Sequence, residues 1–316
     1  MGGASTSALN DVSIISDTLA YAVGEIYLLD STGNVDPDAY NLARWDGESW
    51  ELIRVWFWTV RGDTHKTSYP ASAVLAFAPN DVWIGMEGDQ VVHWDGETQS
   101  EPQFLPSSFQ LNKMWGKSSS SFYVVGNGGN IFHYAAGTWE SLESGIHLPI
   151  RDIWGAPSPI SIRNPTGTEI LAIASGESPG QESKVLSING SLVTTLSGGG
   201  LPWSLGGIWF APNQFYCAVG DGIFVAMSSN STEWSIEPIE VTPYYTSCVR
   251  GNAGNDVFIA GSFGELLHYN GSTWHSYIAK TTIASGSFGA LAVRGNLVIA
   301  VGLSNPRAIA AVGRRF

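Results

Sequence analysis

The chain has 316 residues, 44% of them hydrophobic, with only 14% charged residues and a net charge of −13. Such an acidic balance is repelled by phosphate backbones and anionic lipid, which argues against nucleic-acid and membrane-surface binding. No apolar run reaches the roughly 18 residues of a membrane-spanning helix, and two cysteines are too few for a disulfide framework.

The first residues, Met1-Gly2-Gly3, show neither the basic nor the apolar region of a signal peptide. A first strand opens at Leu9-Asn10-Asp11-Val12, and its unit closes on Arg44-Trp45-Asp46-Gly47-Glu48-Ser49-Trp50. The second unit has a turn and strand at Ala78-Pro79-Asn80-Asp81-Val82-Trp83-Ile84-Gly85, then His93-Trp94-Asp95-Gly96. The third runs from Leu111-Asn112-Lys113-Met114-Trp115-Gly116 through the turn Asn127-Gly128-Gly129-Asn130 to His133-Tyr134-Ala135-Ala136-Gly137-Thr138-Trp139. The fourth and fifth start at Ile150-Arg151-Asp152-Ile153-Trp154-Gly155 and Leu205-Gly206-Gly207-Ile208-Trp209. The sixth holds Asn255-Asp256-Val257-Phe258-Ile259-Ala260-Gly261 and His268-Tyr269-Asn270-Gly271-Ser272-Thr273-Trp274. A seventh has three strand-like runs, 288–293, 297–302 and 308–312.

From His93 to His133 is 40 residues, and from His133 to His268 is 135, three periods of 45. Apolar runs of strand length bounded by Gly, Asn, Asp and Pro fill each period, and no helical period competes. Four strands per 40–45 residues is the pattern of a β-propeller. The expected fold is therefore all-β: one seven-bladed propeller of four-stranded antiparallel blades over residues 1–316, with seven favoured over six or eight. The blades fall at 8–56, 70–108, 109–147, 148–200, 201–243, 244–284 and 285–316. The short seventh blade calls for a strand from the other end of the chain, either a stub from Gly3 to Ser7 or an upstream segment.

These phrases resemble the repeat of a bacterial family of secreted or lipid-anchored β-propeller proteins, common in myxobacteria and their relatives. That repeat reads approximately L-x-x-V-W-G, D-V-W-A-V-G and H-Y-D-G-x-x-W. The third unit fits it continuously, with Met114-Trp115-Gly116, Phe122-Tyr123-Val124-Val125-Gly126, His133-Tyr134 and Gly137-Thr138-Trp139. The resemblance implies a propeller at the cell envelope, outside the cytoplasm. It brings no catalytic residues with it, since a fold carries no function by itself.

Repetition argues against chemistry. His93, His133 and His268 recur at one position in different blades, too far apart to converge within about 2 Å of a zinc ion. Asp46, Asp95 and Asn270 read as turn formers. Trp115, Trp154 and Trp209 read as core before sugar-stacking platforms. Asp11 and Asp152 start innermost strands and are candidates for a carboxylate pair, which glycosidase chemistry needs about 5–10 Å apart. Cys217 and Cys248 are expected to be buried free thiols. The sequons at Asn189, Asn230 and Asn270 fall where turns need asparagine anyway.

The departures from the repeat point to a site, because binding residues gather on loops held by a rigid scaffold. In a four-stranded blade, the loop after the second strand and the loop after the fourth leave from the same end. Blade one enlarges both, at 29–40 and 56–69, and blade four enlarges one, at 176–183. Trp58, Tyr69 and Tyr40 are candidates to stack on a ligand, and Arg61, Asp63 and His65 to supply polar contacts. Asp30, Asp36 and Asp38 are candidates for Ca²⁺, although their spacing is not that of an EF-hand, and no other cofactor is expected. The insertion at 157–168 leaves from the opposite end. No nucleophile, zinc or phosphate-loop motif occurs. The expectation is a monomeric, non-catalytic module outside the cytoplasm that binds a protein or cell-surface partner. Carbohydrate binding is the alternative and a glycosidase or lyase the second.

Overall fold

The computed structural model describes residues 1–160, 164, 166–176, 178–181, 183–196, 201–202, 204–229, 231 and 233–315. Residues 161–163 and 165 of the 157–168 insertion, Glu177 and Glu182 of the blade-four loop, and Asn230 and Thr232 of the middle sequon lie outside this set. The protein is a seven-bladed β-propeller in which each blade is an antiparallel meander. Its residues fall into two compact units, 1–111 with 282–316, and 112–281.

The first unit holds three blades. Blade one is Ala8–Ser16, Leu19–Ile26, Tyr40–Trp45 and Trp50–Ile53. Blade two is Ala71–Ala78, Asp81–Met86, Gln90–Trp94 and Gln103–Phe104. Blade seven has three strands, Ser287–Arg294, Leu297–Ser304 and Arg307–Arg314. At its outer edge Met1 and Ala308 exchange backbone hydrogen bonds, at 2.5 and 3.0 Å, and Ser7 N donates to Pro306 O at 2.9 Å. The contact expected of a Gly3–Ser7 stub is thus made by its last residue and by Met1.

The second unit holds blades three to six. Their first strands are Leu111–Ser118, Ile150–Pro157, Leu205–Ala211 and Thr246–Ala253. Second strands are the most buried elements: every residue of Phe215–Gly220 is buried. They lie in the middle of a blade that is itself covered on both faces, so they read as continuous apolar runs, without polar alternation. Between blades four and five, Leu171 and Ile173 pack on Ile208, Phe210, Ala218 and Phe224. At roughly 25 cal/mol per Å² of apolar surface, such layers dominate the stability of each unit.

The repeated phrases are joints. The hairpin Asp or Asn accepts the next amides: Glu48 N and Ser49 N donate to Asp46 Oδ1, and Ser272 N and Thr273 N to Asn270 Oδ1. The closing tryptophan pairs across the hairpin with the aromatic before the turn, as in Tyr134 with Trp139 and Tyr269 with Trp274, ring centroids 4.9 Å apart. The Trp-Gly step works between blades. The Trp115 ring of blade three lies on Gly155 of blade four, and the Trp209 ring of blade five on Gly251 of blade six. A Cβ at Gly251 would stand 3.0 Å from that ring and 2.6 Å from Asp256 O, so only glycine admits the indole.

First strands also carry a β-bulge near their start, for example between Leu9 and Asp11 and between Ile150 and Asp152. A bulge re-aims the side chain that follows it. Asp11 thereby accepts Val12 N and, from the next blade, Val74 N at 3.0 Å. Asp152 does the same with Ile153 N and Ile208 N at 3.0 Å. These two carboxylates, candidates for catalysis by sequence, are buried clasps between neighbouring first strands.

Asp152 has a further partner. Arg250 stands in blade six at the register position that Trp209 fills in blade five. Its guanidinium reaches back to blade four and donates to both Asp152 oxygens, at 2.7 and 2.8 Å, while lying 5.1 Å from the Trp154 ring.

Candidate functional site

The second enlarged loop of blade one continues the strand alternation. Val55 and Phe57 point into the core between blades one and two, and Trp58 is half-buried. A short hairpin follows, Phe57–Trp58 paired with Lys66–Thr67. Two glutamines of blade two hold this segment as a strand would. Gln99 bonds the Trp56 backbone N–H and C=O, and Gln90 those of Trp58, all between 2.7 and 3.0 Å. Asn41 completes the grip by donating to Val55 O and Tyr69 O.

The expected ligand residues are occupied within this frame. The Lys66 ammonium sits 4.3 Å from the Trp58 ring and pairs with Glu101 at 2.7 Å. Arg61 lies over Phe104, donates to Leu105 O and pairs with Asp89 at 3.5 Å. Asp63 takes the Thr59 hydroxyl, the His65 ring and the backbone amides of Thr64 and His65. Those bonds, the Thr59 hydroxyl foremost, hold its carboxyl well below the usual carboxylate range. Tyr69 packs on the core and donates to Thr59 O. Tyr40 carries the Arg54 guanidinium over its ring at 4.0 Å.

Two of the three aspartates of the first loop are likewise engaged separately, and Asp38 enters through its backbone alone, its N–H donating to Asp36 and its C=O accepting from Arg54. Asp30 caps its own turn, accepting Thr32 N, the Thr32 hydroxyl and Asn34 N. Asp36 pairs with Arg54 at 2.5 Å and accepts Asp38 N. Among the described residues, no group of three or more His, Cys, Asp or Glu side chains is placed to hold a metal ion. Among the side chains these loops turn outward, beside polar ones such as Thr32, Arg61 and His65, are three aliphatic ones: Leu29 and Val35, bridged to each other and 60% and 43% exposed, and Val60, 63% exposed.

The repeated histidines act inside their own blades. His93 bonds Asp81 and His268 bonds Asp256, each at 2.9 Å, while His133 bonds Ser121 at 3.1 Å. Each ring lies against an aromatic of the second strand: Trp83, Phe258 and Tyr123. In blade four, Ser183 donates to Ser175 Oγ and Pro202 O, so its loop is tied back to the blade. Cys217 and Cys248 are free and buried.

A second surface was not anticipated. In the unit 112–281, the connection from blade five to blade six and the turn after the second strand of blade six expose Ile236, Ile239, Tyr244, Tyr245 and Phe263. A pocket of about 160 Å³ opens beside them, lined by Ile236, Ile239 and Tyr244 of this set. The signal for it lay in the turns. Ser262-Phe263-Gly264-Glu265 occupies the place of Asn127-Gly128-Gly129-Asn130 in blade three, with a bulky aromatic where the sister turn has glycine.

No family model matches the chain, and no curated protein sequence matches it. Solved structures do. YCF48 bound to D1 peptide is 17% identical with a TM-score of 0.70, the match covering 100% of this chain and 94% of that one. YCF48 from Cyanidioschyzon merolae is 14% identical with a TM-score of 0.64, covering 98% and 96%. The WD40 β-propeller domain of Doa1 is 10% identical with a TM-score of 0.62, covering 98% and 94%. At these identities the likeness establishes the propeller fold.

Proposed function

We propose that the protein is a non-catalytic scaffold, working outside the cytoplasm, that recognises a protein partner through the loops of blade one. One observation carries this reading. Asp30, Asp36, Arg61 and Asp63 are engaged within those loops or with neighbouring strands, while Leu29, Val35 and Val60 face solvent without apolar cover. Exposed aliphatic groups on preorganised loops suit a protein surface, whereas sugar hydrolysis needs convergent free carboxyls. That YCF48 takes a peptide on a similar fold supports the class of partner. The low charged content and the resemblance to envelope propeller repeats support the location.

The test is affinity capture from envelope fractions of the source organism with the wild type and with a Leu29→Ser, Val35→Ser, Val60→Ser triple variant. A protein recovered by the first and lost by the second is expected. Binding on a glycan array that disappears in Trp58→Ala would overturn the reading in favour of a lectin. Release of reducing ends from polysaccharide would overturn it in favour of an enzyme.

A further inference from the structure

We propose that the unit 112–281 carries a second, separate binding site, on the connections of blades five and six. Its ligand is an extended peptide segment presenting a bulky apolar side chain flanked by lysine or arginine.

The first argument is conformational. Glu265 N donates to Ser262 O, and Phe263 and Gly264 between them have φ of 57° and 76°. In blade three the matching residues, Gly128 and Gly129, have φ of 71° and 77°. The left-handed region costs a residue with a Cβ roughly 1–2 kcal/mol. Blade three avoids that cost with glycine, whereas blade six accepts it to hold a phenylalanine that remains 49% exposed. A strained, exposed aromatic is the kind of outlier that marks recognition sites.

The second argument is shape. Phe263 meets Tyr244 with ring centroids 5.2 Å apart, and Tyr244 forms a wall of the pocket together with Ile236, Ile239 and Pro243. Its volume of about 160 Å³ resembles the roughly 150 Å³ cavity known to take a benzene ring. The walls are fixed in advance. The buried Glu265 carboxylate accepts the Thr242 hydroxyl at 2.8 Å and the Ser276 hydroxyl at 2.6 Å, pinning the five-to-six connection to blade six. Such preorganisation lowers the entropic cost of binding.

The third argument is charge. Asp221 and Glu237 line the pocket, and Glu240 lies on the same five-to-six connection. Between Lys184 and Lys280 the sequence has one basic residue, Arg250, and it is buried against Asp152. Lys280, exposed on the connection that leaves blade six, sits 5.7 Å from the Tyr277 ring, and its neighbour Thr281 donates to Gly264 O of the Phe263 turn at 2.8 Å, so this one cation is set against the four carboxylates Asp221, Glu237, Glu240 and Glu265. The field over the pocket therefore favours a cationic flank and opposes an acidic one.

The probe is a fluorescein-labelled octapeptide with a central Leu-Trp pair and two lysines on each side, followed by anisotropy. Saturable binding is expected, weaker at higher salt. Phe263→Asn, which suits the turn, should weaken it by about tenfold, as for an anchor worth roughly 1.4 kcal/mol. Tyr244→Ser gives an independent variant should Phe263→Asn fold poorly, and the Asp221→Asn, Glu237→Gln pair should weaken binding by roughly threefold. Val60→Ser, on the blade-one surface, should leave binding unchanged, so each of the two sites stands or falls alone. The proposal is overturned if the wild type does not bind, if a glutamate-for-lysine peptide binds as well, or if folded Phe263→Asn and Tyr244→Ser both bind normally. It is also overturned, in favour of a second copy of the chain, if the wild type self-associates in sedimentation and Phe263→Asn abolishes this.

Discussion

Asp152→Ala should be among the most damaging single substitutions in this chain. The carboxylate holds the buried Arg250 guanidinium by two bonds and also receives Ile153 N and Ile208 N. Removing one partner of a buried pair costs about 3–5 kcal/mol, because the remaining charge stays out of water. Each orphaned buried amide adds about 1–3 kcal/mol unless water reaches it. A loss of at least about 4 kcal/mol is thus expected, a large part of the 5–15 kcal/mol typical of a folded protein. Arg250→Met in the same chain removes the stranded charge, so the double variant should recover about 2 kcal/mol relative to Asp152→Ala alone. Equilibrium urea unfolding followed by tryptophan fluorescence measures both, and Trp154, beside Arg250, reports locally. A single variant within about 1 kcal/mol of wild type, or a double variant no more stable than the single, would refute the clasp.

Burial lowers the His133 pKa from its usual 6.5, against the opposing pull of Glu140. Below about pH 6.5 the unfolded chain then binds the proton first, so this contribution to stability is present above that pH and lost as pH falls through it. His133→Gln should flatten the stability profile in that window, and a ring titrating at or above 6.5 by NMR would contradict the assignment. Gly251→Ala should cost about 1–3 kcal/mol through the Trp209 contact. Gly289→Ala, at a first-strand position with open space around it, should stay within about 0.5 kcal/mol; thermal melts compare the two. Burial pushes both thiols up, that of Cys248 to about 12. Native protein should therefore resist a thiol reagent at pH 8 and take up two equivalents in denaturant, and rapid native labelling would show the thiols accessible.

The propeller was legible because several blades repeat the same local solutions: an Asx turn, an aromatic pair across a hairpin, a glycine under a neighbour's tryptophan. Each leaves a mark at a fixed offset in the sequence. The blade-one loops were found as departures from that pattern, but the roles of their residues were not. Gln90 and Gln99 lie in another blade, and only the fold shows that they grip Trp58 and Trp56. Nor does sequence spacing reveal that Asp36 is engaged by Arg54, 18 residues away. The Phe263 turn carried a readable sign, a bulky residue where a sister turn has glycine. Its apolar surroundings came from residues 236–244, a connection of ordinary length that broke no pattern.

The tryptophan-on-glycine contact also bears on how blade number can change. A blade such as the third carries the tryptophan on its leading side and, in Gly116, the glycine that would receive one. Two tandem copies of such a blade bring both halves of their own seam, so duplication yields a compatible neighbour without new mutations. Blade five is different: Phe210 stands where the glycine would be. Arg250, reaching from blade six to Asp152 in blade four, makes blades four, five and six a single indivisible segment. A copy inserted within them would separate the guanidinium from its carboxylate. Gain or loss of a repeat should cost little at the matched seams and about 3–5 kcal/mol at this one, where it strands a buried charge.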